Sequence, residues 1–227
     1  MSRGQSKRYQ ESLAKVPKGK LPIAEAVKVL KALPATKFDA TVDIVMHLGI
    51  DAKQAEQALR GSVSLPHGLG VSKKVIAFCE GEDVARAKAA GAIEAGGEEL
   101  IKKISDGWMD FDVAVATPAM MRSVSKLGRI LGPQGKMPSP KSGTVATDIP
   151  TTVKEYAAGK VEFRTDDGGN IHAPVGKVSF EESSLAQNIE AFIGHIKRLK
   201  PSTAKGTYIK KACLSATMSP AIPLDVE

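Results

Sequence analysis

The chain has 227 residues, 42% of them hydrophobic, and no apolar run near the ~20 residues that a membrane span needs, so a soluble protein with a real core is expected. Its two cysteines, Cys79 and Cys213, lie far apart in apolar runs, which excludes a disulfide framework and reads them as small core residues. The net charge of +7 is uneven: residues 1–40 hold nine Lys/Arg against three Asp/Glu, and a basic terminal segment of this kind suits a polyanion through counterion release.

The N-terminal MSRGQSKRYQ lacks the apolar core of a signal peptide, and a cytoplasmic location is the default expectation. Around Leu13 and Val16 the apolar face is too small to fold alone, leaving a docked helix or a mobile arm. Pro22 followed by Ile23, Ala26, Val27 and Leu30 predicts a helix with proline in its first turn, stopped by Pro34. A strand follows over 42–48, apolar at every even position and therefore buried on one face. Residues 52–60 read as a short polar helix, and the proline and glycine of SVSLPHGLG (62–70) read as a domain boundary.

Beyond it the grammar changes. Lys74–Cys79 and Phe111–Ala116 are continuous apolar strands of the kind covered on both sides. Helices are expected over 83–90, 98–104, 120–131 and 152–158, and strands alternating with helices predict an α/β unit. After Gly159 the one-sided pattern returns. Residues 161–165 and 170–180 read as a hairpin turning at Asp166-Asp167-Gly168-Gly169, with Val161, Phe163 and Thr165 on one face and Glu162 and Arg164 on the other. Ser179 and Glu182 have capping-box spacing ahead of an amphipathic helix carrying Leu185, Ile189, Phe192, Ile193 and Ile196, and 206–217 is a final long strand. The flanks share one strand-and-helix pattern, so two domains are expected: a discontinuous one from 1–67 and 160–227, and an inserted α/β domain over 68–159, with the glycine-rich 66–70 and Gly159 as a paired hinge.

No catalytic set emerges. The four histidines lack metal-binding spacing, and neither a GxSxG elbow nor a GxxxxGK[ST] loop is present. No GxGxxG follows the first strand of the insert, and Glu80, Glu82 and Asp83 stand where a phosphate would sit. A small-molecule-binding enzyme using the insert is the alternative to a nucleic-acid binder. Within the insert, Arg122, Lys126, Arg129, Lys136 and Lys141 bring five positive charges and no acid between 119 and 147, the first three along one helix face and the last two in a stiff Gly/Pro loop. That pattern fits either phosphate contact or a solvated connector. Aromatic content of 4% argues against a broad base-stacking platform and for recognition by shape and backbone.

Six motifs in one order then carry a family resemblance: TKFDATVDI (36–44), RGSVSLPHGLG (60–70), GWMDFDVAVATP (107–118), SKLGRILGPQGKMPSPKSGTV (125–145), HAPVGKVSF (172–180) and TMSP (217–220). Together they resemble the bacterial large-subunit ribosomal protein L-one family, the protein of the mobile stalk beside the tRNA exit site. The resemblance implies a split α+β domain of βαβ type built from both chain ends and an inserted Rossmann-like α/β domain holding no nucleotide. It implies no enzymatic activity, no cofactor, no metal and no small-molecule substrate. It implies a cytoplasmic protein of the ribosome that binds large-subunit rRNA, assists movement and release of exit-site tRNA, and represses its own operon mRNA. Family RNA contacts map onto Lys37, Phe38 and Thr41, onto Arg164 and Asp166, and onto Thr217, Met218 and Ser219, with Arg3, Lys7 and Arg8 as auxiliary phosphate contacts and Lys136 and Lys141 as secondary ones. Arg164 and Asp166 are expected to share one face with Phe38 and residues 217–219. Ser219 stands where the family usually has glycine, which bears on how closely RNA approaches the backbone.

Overall fold

The computed structural model describes residues 6–34, 36–52, 54 and 56–226. Among them the helices are α1 (Lys7–Lys15), α2 (Ile23–Lys31), α3 (Glu82–Ala89), α4 (Glu98–Ser105), α5 (Met121–Val124), α6 (Gly128–Leu131), α7 (Ile149–Ala157) and α8 (Glu182–Arg198). The strands are β1 (Thr41–Leu48), β2 (Arg60–Val63), β3 (Val75–Phe78), β4 (Glu94–Gly96), β5 (Val113–Ala116), β6 (Val161–Arg164), β7 (Asn170–Lys177), β8 (Ile209–Ala216) and β9 (Ile222–Leu224). The chain divides into two compact units, Met1–Gly70 with Val161–Glu227, and Val71–Lys160.

In the first unit the sheet order is β7-β1-β8-β9, every neighbour antiparallel. β7 and β8 therefore run parallel on either side of β1, and α8 is the crossover between them, a split βαβ arrangement. Alternation in β1 is the cause: Val42, Ile44, Met46 and Leu48 are buried beneath α2 and α8, whose Val27, Leu30, Leu185, Ile189, Phe192 and Ile196 complete one core. Each such side chain contributes about 1.5–3 kcal/mol by leaving water. Phe192 meets Phe163 of β6 edge to face at 5.8 Å. The other face of β1, with Thr41, Asp43, Val45 and His47, stays open and half-exposed. Asn188 of α8 is fully buried yet satisfied: its amide donates to the Gly68 and Val175 carbonyls (3.0 and 2.8 Å) and its oxygen accepts from the His67 N–H (3.1 Å). It thereby fixes the Pro/Gly-rich loop that leads out of β2.

In the first unit, three local expectations do not hold. Residues 161–180 are not a paired hairpin: β6 pairs with β2, β7 pairs with β1, and the two meet only around the turn, through a Thr165–Ile171 bridge and the Asp166 N–H to Asn170 carbonyl bond at 2.9 Å. The unforeseen strand β2 gives β6 a better partner. The described part of 52–60 forms turns closed by Gln54 on Asp51 and by Gln57 and Ala58 on Gln54, not a helix, because so short and polar a segment has no apolar stripe to dock. The capping box does not form either. Glu181 is the N-cap, and Ser179 gives both its N–H (3.2 Å) and its hydroxyl (2.8 Å) to the Asp39 carboxylate, a stronger acceptor.

The second unit holds a parallel three-stranded sheet, β4-β3-β5, covered on both sides. Ile76, Phe78, Ala114 and Ala116 pack with Leu100 and Ile104 of α4 on one face, while Val75, Ala77 and Val115 pack with Ile149, Val153 and Tyr156 of α7 on the other. The expected helix over 120–131 is broken into α5, a 3-10 turn at Ser125–Leu127 and α6. Two causes act there: the Ser125 hydroxyl bonds back to the Met121 carbonyl (2.6 Å), and Gly128 and Gly132 weaken helix propagation. α7 begins earlier than expected because Asp148 caps Thr151. Cys79 is buried, Cys213 half-buried, and both are free. No described helix is long and apolar enough to cross a membrane.

Candidate nucleic-acid interface

The first unit gathers most of the expected contact residues where β1 begins and β8 ends. Antiparallel pairing brings Thr41 and Thr217 together: the Thr41 N–H donates to Thr217 Oγ1 (3.2 Å), and the Thr217 N–H donates to the Thr41 carbonyl (3.0 Å). Past Thr217 the chain turns sharply. The Ser219 N–H donates to the Ala216 carbonyl at 2.9 Å, while Ser219 Oγ accepts from the Ala216 N–H at 2.8 Å. Between them Met218 adopts φ 65°, the one left-handed non-glycine among the described residues. Such a conformation costs about 1–3 kcal/mol and persists only where surroundings over-determine it. Here they do, since Arg8 of α1 adds a third restraint by donating Nη2 to the Met218 carbonyl (3.4 Å). The turn holds the Met218 side chain in solvent, 64% exposed.

Phe38, 52% exposed, lies across the same cleft, which Thr36, Asp39, Thr217, Met218 and Ser219 also line. The Thr36 hydroxyl donates to the Phe38 carbonyl (2.6 Å) and sets the local bend. Two large apolar side chains are thus displayed, with exposed Lys37 adjoining Phe38 in the chain and exposed Lys7 on the helix α1 that carries Arg8. Lys177, which sequence reading passed over, belongs to this group: it is the cross-strand partner of Thr41, and its Nζ donates to Thr41 Oγ1 (2.8 Å) and the Asp39 carbonyl (3.5 Å). Only the pairing of β1 with β7 identifies it. Arg3 lies outside the described residues.

Arg164 and Asp166 are not part of this cluster. They sit by the other end of β1, where His47 faces Asn170, about 20 Å along the strand from Thr41. The shared face expected for them with Phe38 and residues 217–219 is therefore corrected: the turn after β6 meets the strand end that β1 exits, not the one it enters. Arg164 is exposed opposite Arg60 in the β2–β6 ladder. The Asp166 carboxylate faces inward on its own turn, accepting from the Gly168 N–H (2.9 Å), the Asn170 N–H (2.7 Å) and the Asn170 side-chain amide (2.9 Å). Donation by the Asn170 side chain, then by its backbone, holds the acid below the usual carboxylate range. Between the two ends, Asp43 lies on the open face. Burial raises its pKa, and His172 and Lys177 pull it partly back.

In the second unit Lys136 is engaged by the protein itself: its Nζ donates to the Met109 carbonyl (3.2 Å) and lies 4.9 Å from the Phe111 ring centre. Lys141 is exposed on a one-turn 3-10 helix, and Arg122 of α5, Lys126 of the 3-10 turn and Arg129 of α6 all remain exposed despite the break. No cluster of three or more His, Cys, Asp or Glu with metal-binding geometry occurs among the described residues.

The model of the ribosomal protein L1p/L10e family matches residues 30–220. The large ribosomal subunit protein uL1 of Beutenbergia cavernae is 48% identical over 223 residues, covering 97% of this chain and 93% of the relative. That of Kosmotoga olearia is 48% identical over 221 residues, with 97% and 96% coverage, and that of Lactobacillus acidophilus 49% over 220 residues, with 96% of each.

Proposed function

Because the chain belongs to the ribosomal protein L1p/L10e family, and is thus a structural constituent of the large ribosomal subunit and not an enzyme, we propose that it binds large-subunit rRNA through the Thr41–Met218 end of its first unit. The observation that carries this reading is the Met218 turn. A strained backbone, held by Ser219, Thr217 and Arg8, displays an apolar side chain opposite Phe38 and beside lysines. Structured RNA offers what such a surface needs: unstacked bases for Met218 and Phe38 to cover, and phosphates and 2′-hydroxyls for Lys7, Arg8, Lys37, Thr41, Thr217 and Ser219. Lys177 braces Thr41 from β7. Arg164, Lys136 and Lys141 are assigned an outlying role, and Asp166 acts by shaping its turn. Arg3 completes the basic N-terminal segment as an auxiliary phosphate contact.

In this reading the unit built from both chain ends is the rRNA-binding domain, at the mobile stalk beside the tRNA exit site, and the inserted α/β unit holds no nucleotide. The protein assists release of deacylated tRNA and represses its own operon by binding a similar structure in the messenger. Filter binding tests the first step: a stalk rRNA fragment should be retained tightly and with a steep salt dependence, and absence of binding at modest salt would remove the proposal. A fragment of the operon leader, run as competitor, tests repression. It should displace the rRNA fragment.

A further inference from the structure

The opposite end of the same sheet carries a groove that this site does not use. Lys20, Thr207, Lys210 and Lys211 line it over an apolar floor of Ile209 and Leu224. Lys210 and Lys211 are adjacent in β8 and both exposed, although neighbouring side chains of a strand normally point to opposite faces. The register supplies the reason. His47 faces Lys211 and Leu48 faces Ile209, so Lys210 is an extra residue, a β-bulge. Bulges re-aim side chains and gather at functional edges; this one turns two successive lysines into one groove.

Lys20 arrives from a separate segment and is fixed by its neighbour. The Leu21 N–H donates to the Pro223 carbonyl (3.0 Å), and the Asp225 N–H donates to Leu21 (2.8 Å), so Lys20 is anchored along β9. Lysines often guard bare sheet edges, but β8 is an interior strand and the free side of β9 already carries Leu21. Among the described residues, no acidic side chain lines the groove. The surrounding sequence has the same bias: between Glu190 and Asp225 stand Lys197, Arg198, Lys200, Lys205, Lys210 and Lys211, with no Asp or Glu. Convergent ammonium groups repel one another, and a polyanion relieves that repulsion.

We infer that this groove is a second phosphodiester-binding site, gripping an RNA backbone at the end of the sheet away from Met218. Point-charge ammonium groups and one hydroxyl suit phosphates and read no base, so the contact is sequence-independent. The inference rests on the rRNA-binding reading and is tested apart from it. Full-length protein and the K20Q/K210Q/K211Q variant are titrated across salt with two probes, the stalk rRNA fragment and an unrelated RNA duplex. Each lost phosphate contact removes about 0.7–0.9 from the slope of log K against log salt, so the variant's slope should be shallower by about two to three on the duplex. If the triple variant fails to fold, the single changes Lys20→Gln and Lys211→Gln at exposed positions should each remove about one slope unit. Unchanged slopes on both RNAs, in variants with wild-type melting, overturn the groove. Wild-type protein that binds the duplex through these lysines but not the stalk fragment sustains the groove and overturns the Met218 reading. Protein that binds neither RNA overturns both.

Discussion

Met218 and Phe38 are the residues on which the proposed recognition turns, and their exposure separates function from packing. Large apolar side chains in a core cost several kcal/mol to truncate, whereas these two, more than half in water, contribute little to the fold. Met218→Ala and Phe38→Ala should each weaken RNA binding by about 1–3 kcal/mol, the range for loss of a base-covering side chain, and leave the melting temperature unchanged. Competitive filter binding and calorimetry check the pair of outcomes. Ser219 acts differently. Its hydroxyl occupies the Ala216 N–H, so the side chain folds back on its own backbone. Ser219→Ala should lower stability by about 0.5–1.5 kcal/mol, the net worth of one hydrogen bond, and weaken RNA binding through a looser Met218 turn. Asp166 gives a pH signature. Its carboxylate is held below its ordinary pKa by Asn170, so its stabilising contribution is present above the unfolded value, near ~3.9, and is lost as pH falls through the lower folded value. Asp166→Asn should therefore melt earlier than wild type at neutral pH, with the gap closing in acid.

At the scale of elements, what was readable from the sequence was whatever repeats with a period. The alternation of β1, the helical stripe of α8 and the continuous apolar β3 and β5 all formed where expected. Short strands were not readable, because three or four residues of β2, β4 or β9 carry no period of their own and exist only through their partners. Leaving β2 out has a consequence for the site: without it β6 has only β7 to pair with, which draws Arg164 and Asp166 to the wrong end of the sheet. Lys177 was missed for the same reason, since a strand-end lysine gains meaning only from the threonine across the ladder. Buried polar ties such as Asn188 also escape sequence reading, because a lone asparagine on an apolar helix face looks like an interruption. Asn188→Leu leaves the His67 N–H without its acceptor and two carbonyls without a donor. It should destabilise the first unit by about 1–3 kcal/mol, seen as a lower denaturant midpoint.

For the molecule as a whole, each unit has its own core, and the hydrophobic cluster of the first draws only on 1–70 and 161–227. Because β2 and β6 pair at Val63 and Val161, the two chain ends that flank the second unit are already joined by the sheet. Replacing 71–160 by a short Gly/Ser linker should leave a cooperatively folding protein that still binds the stalk fragment; loss of binding in a folded deletion variant would assign essential contacts to the second unit. Cover of the Met218 turn by RNA can be read directly, because methionine is readily oxidised to its sulfoxide and hydroxyl radicals also hydroxylate phenylalanine rings. Oxidation of the full-length protein, with and without saturating stalk rRNA fragment, is to be quantified residue by residue by mass spectrometry. Met218 and Phe38 should be protected severalfold by RNA, while exposed Val71 and Ile93 of the second unit react at unchanged rates. Met218 oxidised equally fast with and without bound RNA would contradict that cover.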